Sequence, residues 1–295
     1  MIAVTGARGF VGRAVCREFE SHGERVLRIG RRESDVQWPA TGAEFGAGSL
    51  ARMSGLRAVV HLAGEPIGAR WTARRRRSIR ESRVGLTATL AQALASLVPR
   101  PSVLVSASAV GIYGDCGDAW LDESSRSGDG FLATVAHDWE AATAPAGEAG
   151  IRVVHLRMGV VLGRDGGMIS RLRLPFRLGV GARLGRGTQW MSWISLADLV
   201  RIIVRVIDDE SIAGPVNAVS PEPVTNAAFT RGLAHALGRP APFAIPRFVL
   251  RAAFGGMADG MLLASQRARP VRMLAAGFAF AHRSLDDALR IATGP

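Results

Sequence analysis

Short apolar runs alternate with helical stretches through the first two-thirds of this 295-residue chain. Ile2–Thr5, Arg25–Ile29, Ala58–Ala63, Ser102–Ser106 and Val153–Leu156 read as strands. Val11–Ser21, Thr72–Leu97 and Phe131–Ala146 read as the helices between them. Parallel strands buried on both faces are near-continuous apolar runs, and Ala58-Val59-Val60-His61-Leu62-Ala63 has that form. The rhythm predicts an α/β fold with a Rossmann-like, doubly wound parallel sheet. After Gly163 the pattern changes. The stretch 164–187 is rich in Gly and Arg with little clean periodicity, and Ile194–Ile207 returns to a helical pattern with Asp198 on its first turn. Pro215–Val219 reads as a further strand, and Asn226–Leu237, Pro246–Phe254 and Leu285–Ile291 as helices punctuated by proline. The division expected is a nucleotide-binding domain of 1–163 and 192–220, with a smaller substrate or cap lobe of 164–191 and 221–295. A chain that crosses between two such lobes leaves a cleft beside the strand ends.

The first strand runs into Gly6-Ala7-Arg8-Gly9-Phe10-Val11-Gly12 and then a helix. Its glycines fall at the turn, at the closest backbone approach and at the helix–strand contact. That arrangement sets free N–H groups and the positive end of a helix against a pyrophosphate, so the chain is expected to bind a dinucleotide. Gly6, Arg8, Gly9, Phe10 and Val11 are its candidate contacts.

Composition narrows the partners. Lys plus Arg is 37 against 25 acids, a net charge of +12, and all 37 are arginine. The arginines are scattered, and the one run, Arg74–Arg77, continues through Arg80 and Arg83 on a helix with Glu81 beside them. A solvated helix face accounts for that run, so no specific nucleic-acid partner is expected. No apolar run approaches the roughly 20 residues of a membrane span, and the first strand begins at residue 2. Cys16 and Cys116 lack disulfide-framework or metal-ligand spacing. A cytoplasmic protein with no membrane partner and no metal is expected.

Where an NAD-specific fold ends its second strand on an acid for the ribose 2′-hydroxyl, this chain has Gly30-Arg31-Arg32. Guanidinium pairs bidentately with phosphate, and Arg8 can reach the same place, so NADP(H) is the cofactor expected. Arg31 and Arg32 also suit solvated turn positions.

Thr5–Gly12, Leu62-Ala63-Gly64, Ser106-Ala107-Ser108 with Tyr113-Gly114, and Trp193–Asp198 resemble extended short-chain dehydrogenases of the NAD(P)-dependent epimerase/dehydratase superfamily. Ala63–Ile67, Arg70–Thr72, Ser82-Arg83, Gly111–Asp115 and Trp139-Glu140 resemble its atypical YfcH-type branch. So do Leu156-Arg157, Val160–Leu162, Gln189-Trp190 with Trp193, Gln266-Arg267 and Gly277–Phe280, over the whole length. The resemblance adds Leu62, Ala63, Gly64 and Ser106 to the cofactor side. It also implies a Tyr-x-x-x-Lys pair, in which the ammonium lowers the phenol pKa. This chain has no lysine and one tyrosine, Tyr113, with Gly117 four residues on. Phe131–His137 stands where the pair belongs and offers neither member, as in the atypical branch.

Other groups must carry any acid–base chemistry. Ser108 matches the serine of extended members and also fits a strand-end cap. Tyr113 is the one phenol, bordering the substrate pocket by resemblance or else packing. Glu65, beside Pro66 and Ile67, is a candidate acid or base if an apolar setting raises its pKa. His137 is placed to point elsewhere, and His61 reads as a core histidine. Gly185–Trp190 reads as a substrate-side loop, with arginines 171, 173, 177, 183 and 186 available to an anion such as a nucleotide-sugar diphosphate. Asp198 is expected to fix its turn or cap the helix. The function expected is an NADP(H)-binding oxidoreductase or epimerase-like protein for a small molecule. The rival is a non-catalytic NADP(H)-binding regulatory or scaffolding protein. The resemblance also allows a homodimer through the helices after the fourth and fifth strands.

Overall fold

The computed structural model describes residues 1–294. Its first half is built of β1 (Ile2–Thr5), α1 (Phe10–Ser21), β2 (Val26–Gly30), β3 (Val36–Gln37), α2 (Ala47–Met53) and β4 (Ala58–His61). There follow α3 (Ala73–Arg80), a π-helical turn (Glu81–Gly85), α4 (Leu86–Ser96), β5 (Val103–Ala109), β6 (Trp120–Leu121), α5 (Phe131–Ala141), α6 (Ala144–Glu148) and β7 (Arg152–Met158). The remainder is β8 (Val160–Leu162), α7 (Gly167–Arg177), β9 (Ala182–Leu184), β10 (Trp190–Met191), β11 (Trp193–Ser195), α8 (Leu196–Asp208) and β12 (Gly214–Ala218). The chain ends with β13 (Val224–Thr225), α9 (Asn226–Ala236), β14 (Phe243–Ile245), α10 (Arg247–Phe254), β15 (Arg267–Ala268), α11 (Val271–Ala275) and α12 (Leu285–Thr293).

Seven strands form one parallel sheet in the order β12-β7-β5-β4-β1-β2-β3. Successive strand residues point to opposite faces, and both faces are covered. Ile2 and Val4, Ala58 and Val60, and Val103 and Val105 pack on Val15 and Phe19 of α1 and Leu199, Ile202 and Val206 of α8. Ala3, Val59 and Leu104 pack on Leu90 and Leu94 of α4, with Met53 of α2 and Ala146 of α6. Every residue of these runs is therefore core, which is why the strands read as unbroken apolar segments.

The expected strands and helices are found, with two breaks and several additions. The stretch Thr72–Leu97 is not one helix; the π-helical turn interrupts it. Phe131–Ala146 divides after Ala141, and Pro145 lies in the first turn of α6. The stretch without clean periodicity contains α7, whose buried residues are Ile169 and Phe176. A face that narrow leaves little pattern to read.

A separate apolar cluster centres on Ile169 and Phe176 of α7, Phe229 and Leu233 of α9, and Leu289 of α12, with Leu162 and Trp193 among them. Met273 and Phe278, from the segment after residue 221, pack into the core formed by α1 and α8. β15 pairs with β6, which joins the C-terminal segment to the first half of the chain. Among the described residues no helix is long and apolar enough to cross a membrane.

Candidate functional site

The turn from β1 into α1 is shaped by close backbone approach. Gly6 has φ +65°, and a Cβ there would come 2.8 Å from the Leu62 carbonyl oxygen. A Cβ at Gly12 would lie 2.1 Å from the Gly6 oxygen. Gly9 donates its N–H to Gly6 O at 2.8 Å and is the residue from which α1 starts, with no side chain capping the helix. Thr5 Oγ1 accepts the N–H groups of Leu62 (3.0 Å) and Ala63 (3.1 Å), so the exits of β1 and β4 form one rim. Phe10 does more than the fingerprint implied. Its ring beds against Gly163, Gly166 and Gly167, where added Cβ atoms would collide with it. Val11 packs against the α1–α8 core.

His61, at the end of β4, is wholly buried. Its Nδ1 lies 2.8 Å from Thr5 Oγ1 and its Nε2 2.8 Å from Thr87 Oγ1. Desolvation pushes its pKa down to about 4, so the ring is a neutral connector of β1, β4 and α4.

Arg8, Arg31 and Arg32 are all exposed beside this rim. Arg8 pairs with Glu33, and Arg31 pairs with Glu65 at 3.0 Å. Glu33, which the sequence reading passed over, sits at φ +44°, a conformation unusual for a non-glycine residue. Glycines that admit no Cβ, an uncapped helix start and three surface guanidiniums at the end of β2 fit a dinucleotide carrying a 2′-phosphate. A cavity of about 650 Å³ lined by Arg13, Arg17, Gly163, Leu196 and Ile291 runs along the outer flank of α1 instead. It lies away from Arg31 and the β4–β5 exits, so the placement of the site rests on the strand ends.

Glu65 is not in an apolar pocket, contrary to expectation. Its carboxylate faces Arg31, and its N–H donates to Ser82 Oγ at 3.0 Å. Tyr113 is likewise corrected. It is 1% exposed, and its hydroxyl lies 2.7 Å from Asn217 Oδ1 and 2.9 Å from the Asp122 carbonyl while accepting from Arg157 at 3.1 Å. Burial raises the phenol pKa above its usual value, against partial relief from Arg157. It is a strut between β7, β12 and the segment before α5.

Ser106 is buried on β5 in register with His61, its hydroxyl 3.4 Å from the Ala107 carbonyl. Ser108, also buried, donates to Glu140 Oε1 at 2.6 Å. Glu140 on α5 is held by Arg157 of β7 through two contacts, Nε to Oε1 and Nη2 to Oε2, each 2.9 Å. Burial opposes ionisation of Glu140, but the bonds from Arg157 and Ser108 outweigh it and hold the carboxyl below its usual range. His155 reaches Thr143 Oγ1 at 2.9 Å, and burial lowers its pKa. The sequence reading used Glu140 and Arg157 only as family signatures. β5–β7 pairing sets Arg157 beside Ser108 and the packing of α5 adds Glu140, and no local pattern encodes either. His137 is exposed and plays no part here.

The candidate residues between 171 and 198 act mainly as staples. Gln189 Nε2 donates to the carbonyls of Leu184 (3.2 Å) and Leu262 (3.1 Å), and Trp190 Nε1 to Asp118 Oδ1 at 2.8 Å. Trp193 is fully buried with its indole on Glu222 O at 2.8 Å, so it does not line a cleft. Arg171 reaches Gly68 O at 3.0 Å, whereas Arg173 is spent on the carbonyls of Thr293 and Gly294. Asp198 accepts the N–H groups of Ala281 (2.8 Å) and His282 (2.9 Å), so it anchors the C-terminal segment to its turn. Nor is the Arg74–Arg83 run one solvated face. Arg75 donates to Pro66 O, Arg76 covers Phe131, and Arg80 pairs with Asp138.

Comparison with known proteins agrees with this geometry. The profile of the NAD dependent epimerase/dehydratase family matches residues 2–218, and that of a domain of unknown function, DUF1731, matches 245–292. The chain is 40% identical to the epimerase family protein ML0860 of Mycobacterium leprae, over 99% of this chain and 95% of that one. The structure is similar to the crystal structure of human epimerase family protein SDR39U1 with NADPH, with TM-score 0.89, 33% identity, and 99% and 98% of the two chains covered. A nucleoside-diphosphate sugar epimerase from Corynebacterium glutamicum gives TM-score 0.81 and 37% identity, over 99% of this chain and 58% of that one. With its strand-end site, glycine loop and C-terminal module accounted for, the chain belongs to the NAD dependent epimerase/dehydratase family.

Proposed function

We propose that the chain binds NADP(H) and acts as an oxidoreductase or epimerase-like enzyme on a small molecule. The observation that carries the cofactor choice is the cluster Arg8, Arg31 and Arg32 at the end of β2, on a rim whose glycines leave no room for side chains. The human relative solved with NADPH supports it. The cofactor, when bound, supplies the hydride chemistry. Arg31 exchanges Glu65, and Arg8 exchanges Glu33, for the 2′-phosphate. Both carboxylates are solvent-accessible, so the exchange costs little.

On the acid–base side, Ser108 and Glu140 replace the missing Tyr–Lys pair. The Ser108 proton is directed at Glu140, which leaves the serine oxygen lone pairs as acceptors. A substrate hydroxyl fits that polarity better than a carbonyl, which needs a donor. Arg157 keeps Glu140 ionised, so the carboxylate orients Ser108 and, as a weak base, holds the relayed proton only transiently. Tyr113 and Glu65 have no place in this relay.

The test is a titration of the purified protein with NADPH and with NADH, repeated on Arg31→Asp. NADPH binding at least tenfold tighter than NADH, lost in the variant, is the expected result. Single-turnover NADP⁺ reduction against alcohols and nucleotide sugars then reads the chemistry. If neither nucleotide binds at millimolar concentration, the cofactor reading is wrong. A second reading, a non-catalytic protein that responds to NADP(H), is favoured by the burial of Ser108. Tight NADPH binding without turnover on the whole panel would select it.

A further inference from the structure

Arg83 lies on the π-helical turn between α3 and α4, a helix irregularity often found at functional sites. The turn aims its side chain at the loop leaving β4. The guanidinium carbon lies 3.2 Å from where a Cβ of Gly64 would stand, so a side chain at 64 would push the group back by a few tenths of an ångström. On its other side it stacks over the Trp139 ring at 5.1 Å. Gly64 itself is exposed, so the guanidinium sits at the edge of the strand-end rim.

This cation is poorly served. Its hydrogen bonds are long and go to neutral acceptors, Ile79 O at 3.3 Å and Ser82 Oγ at 3.5 Å. The carboxylate that favours its charge, Glu65, is already paired with Arg31. Desolvation pulls its pKa down to about 10. The Trp139 indole N–H beside it is also buried without a partner. A half-buried guanidinium with five donors and no anion costs stability, and a ligand anion is what satisfies it.

We propose that Arg83 is the anion-receiving residue of the cleft, binding a carboxylate or phosphate of a ligand that lies against Gly64. The proposal rests on the cofactor site above, because Gly64 belongs to the same rim as Gly6. The anion has two sources, the pyrophosphate of the dinucleotide or an acidic group on a second molecule beside it. In either case the planar fork meets two oxygens at once, with the Trp139 ring beside it.

The full-length chain is compared with Arg83→Met and Arg83→Lys. NADPH binding is followed by its fluorescence, and binding of inorganic phosphate and of malonate by calorimetry, with and without saturating NADPH. If the pyrophosphate is the partner, Arg83→Met weakens NADPH tenfold or more. If a second molecule is, NADPH binding changes less than twofold while phosphate or malonate binding is lost. Arg83→Lys falls between, because it keeps the charge without the fork. Arg83→Met is expected to melt no lower than the parent, since it exchanges an unpaired cation for an apolar chain on Trp139. NADPH and anion binding both within twofold of the parent overturn the proposal and leave the cofactor reading standing, whatever the melting temperature. A parent chain that binds malonate through Arg83 but not NADPH has the opposite meaning. A parent that binds neither anion nor nucleotide overturns both.

Discussion

Ser108 Oγ and Glu140 Oε1 are joined at 2.6 Å, and Arg157 closes on both carboxylate oxygens of Glu140 from β7. The three side chains come from β5, α5 and β7 and form one buried polar unit. Removing its centre has a defined cost. Glu140→Gln leaves Arg157 buried without its counter-charge and is expected to lose about 3–5 kcal/mol in urea unfolding. Ser108→Ala removes one hydrogen bond and should lose about 1 kcal/mol, while abolishing turnover if the serine relays the proton. A Glu140→Gln loss below about 1 kcal/mol contradicts the view that this pair holds α5 to the sheet.

Glu65 competes with a 2′-phosphate for Arg31. Glu65→Gln therefore strengthens NADPH binding while leaving NADH unchanged. An exposed ion pair is worth about 0.2–1 kcal/mol, so the gain is roughly 1.4- to 5-fold. Parallel titrations with both nucleotides at fixed ionic strength check it. Weaker NADPH binding in the variant would mean that Glu65 contacts the nucleotide itself.

The buried His61 makes stability depend on pH. In the unfolded chain the imidazole takes a proton near pH 6.5, whereas in the folded chain it resists until about pH 4. Between those values the unfolded state binds more protons, so stability is full above pH 6.5 and falls as the pH drops toward 4. The loss from this group is at most about 3 kcal/mol. Urea midpoints measured from pH 7 to 4.5 should decline, and His61→Gln should flatten part of that decline. An unchanged slope in the variant assigns the acid sensitivity elsewhere.

Two glycine substitutions separate packing from backbone freedom. Gly12→Ala places a Cβ 2.1 Å from the Gly6 carbonyl oxygen, a collision with backbone. It is expected to cost about 3 kcal/mol or more and to abolish nucleotide binding. Gly23→Ala, at φ +75° with nothing within 4 Å, meets only backbone strain and should cost about 1 kcal/mol with binding intact. Equal losses at the two positions would remove the packing argument for Gly12.

What the sequence determined is what local order can encode. Ile2–Thr5 and Ala58–His61 are strands because both faces of the sheet are covered, and an unbroken apolar run records that. The glycine loop is legible because the turn, the close approach and the helix start fall within seven consecutive residues, and Arg31-Arg32 directly follows β2. The tertiary structure decided which polar side chains meet. Tyr113 became a strut through Asn217 and Arg157, which are 104 and 44 residues away. Glu65 met Arg31, 34 residues before it, instead of an apolar pocket. Arg157 stands beside Ser108 because β5 and β7 pair in one register, and α5 brings Glu140 to both. Arg83, on a π-helical turn in a stretch that reads as one continuous helix, reached Gly64, 19 residues before it. Periodicity fixes which face a residue occupies, but strand register and helix irregularity fix its partner, and both arise only when distant segments pack.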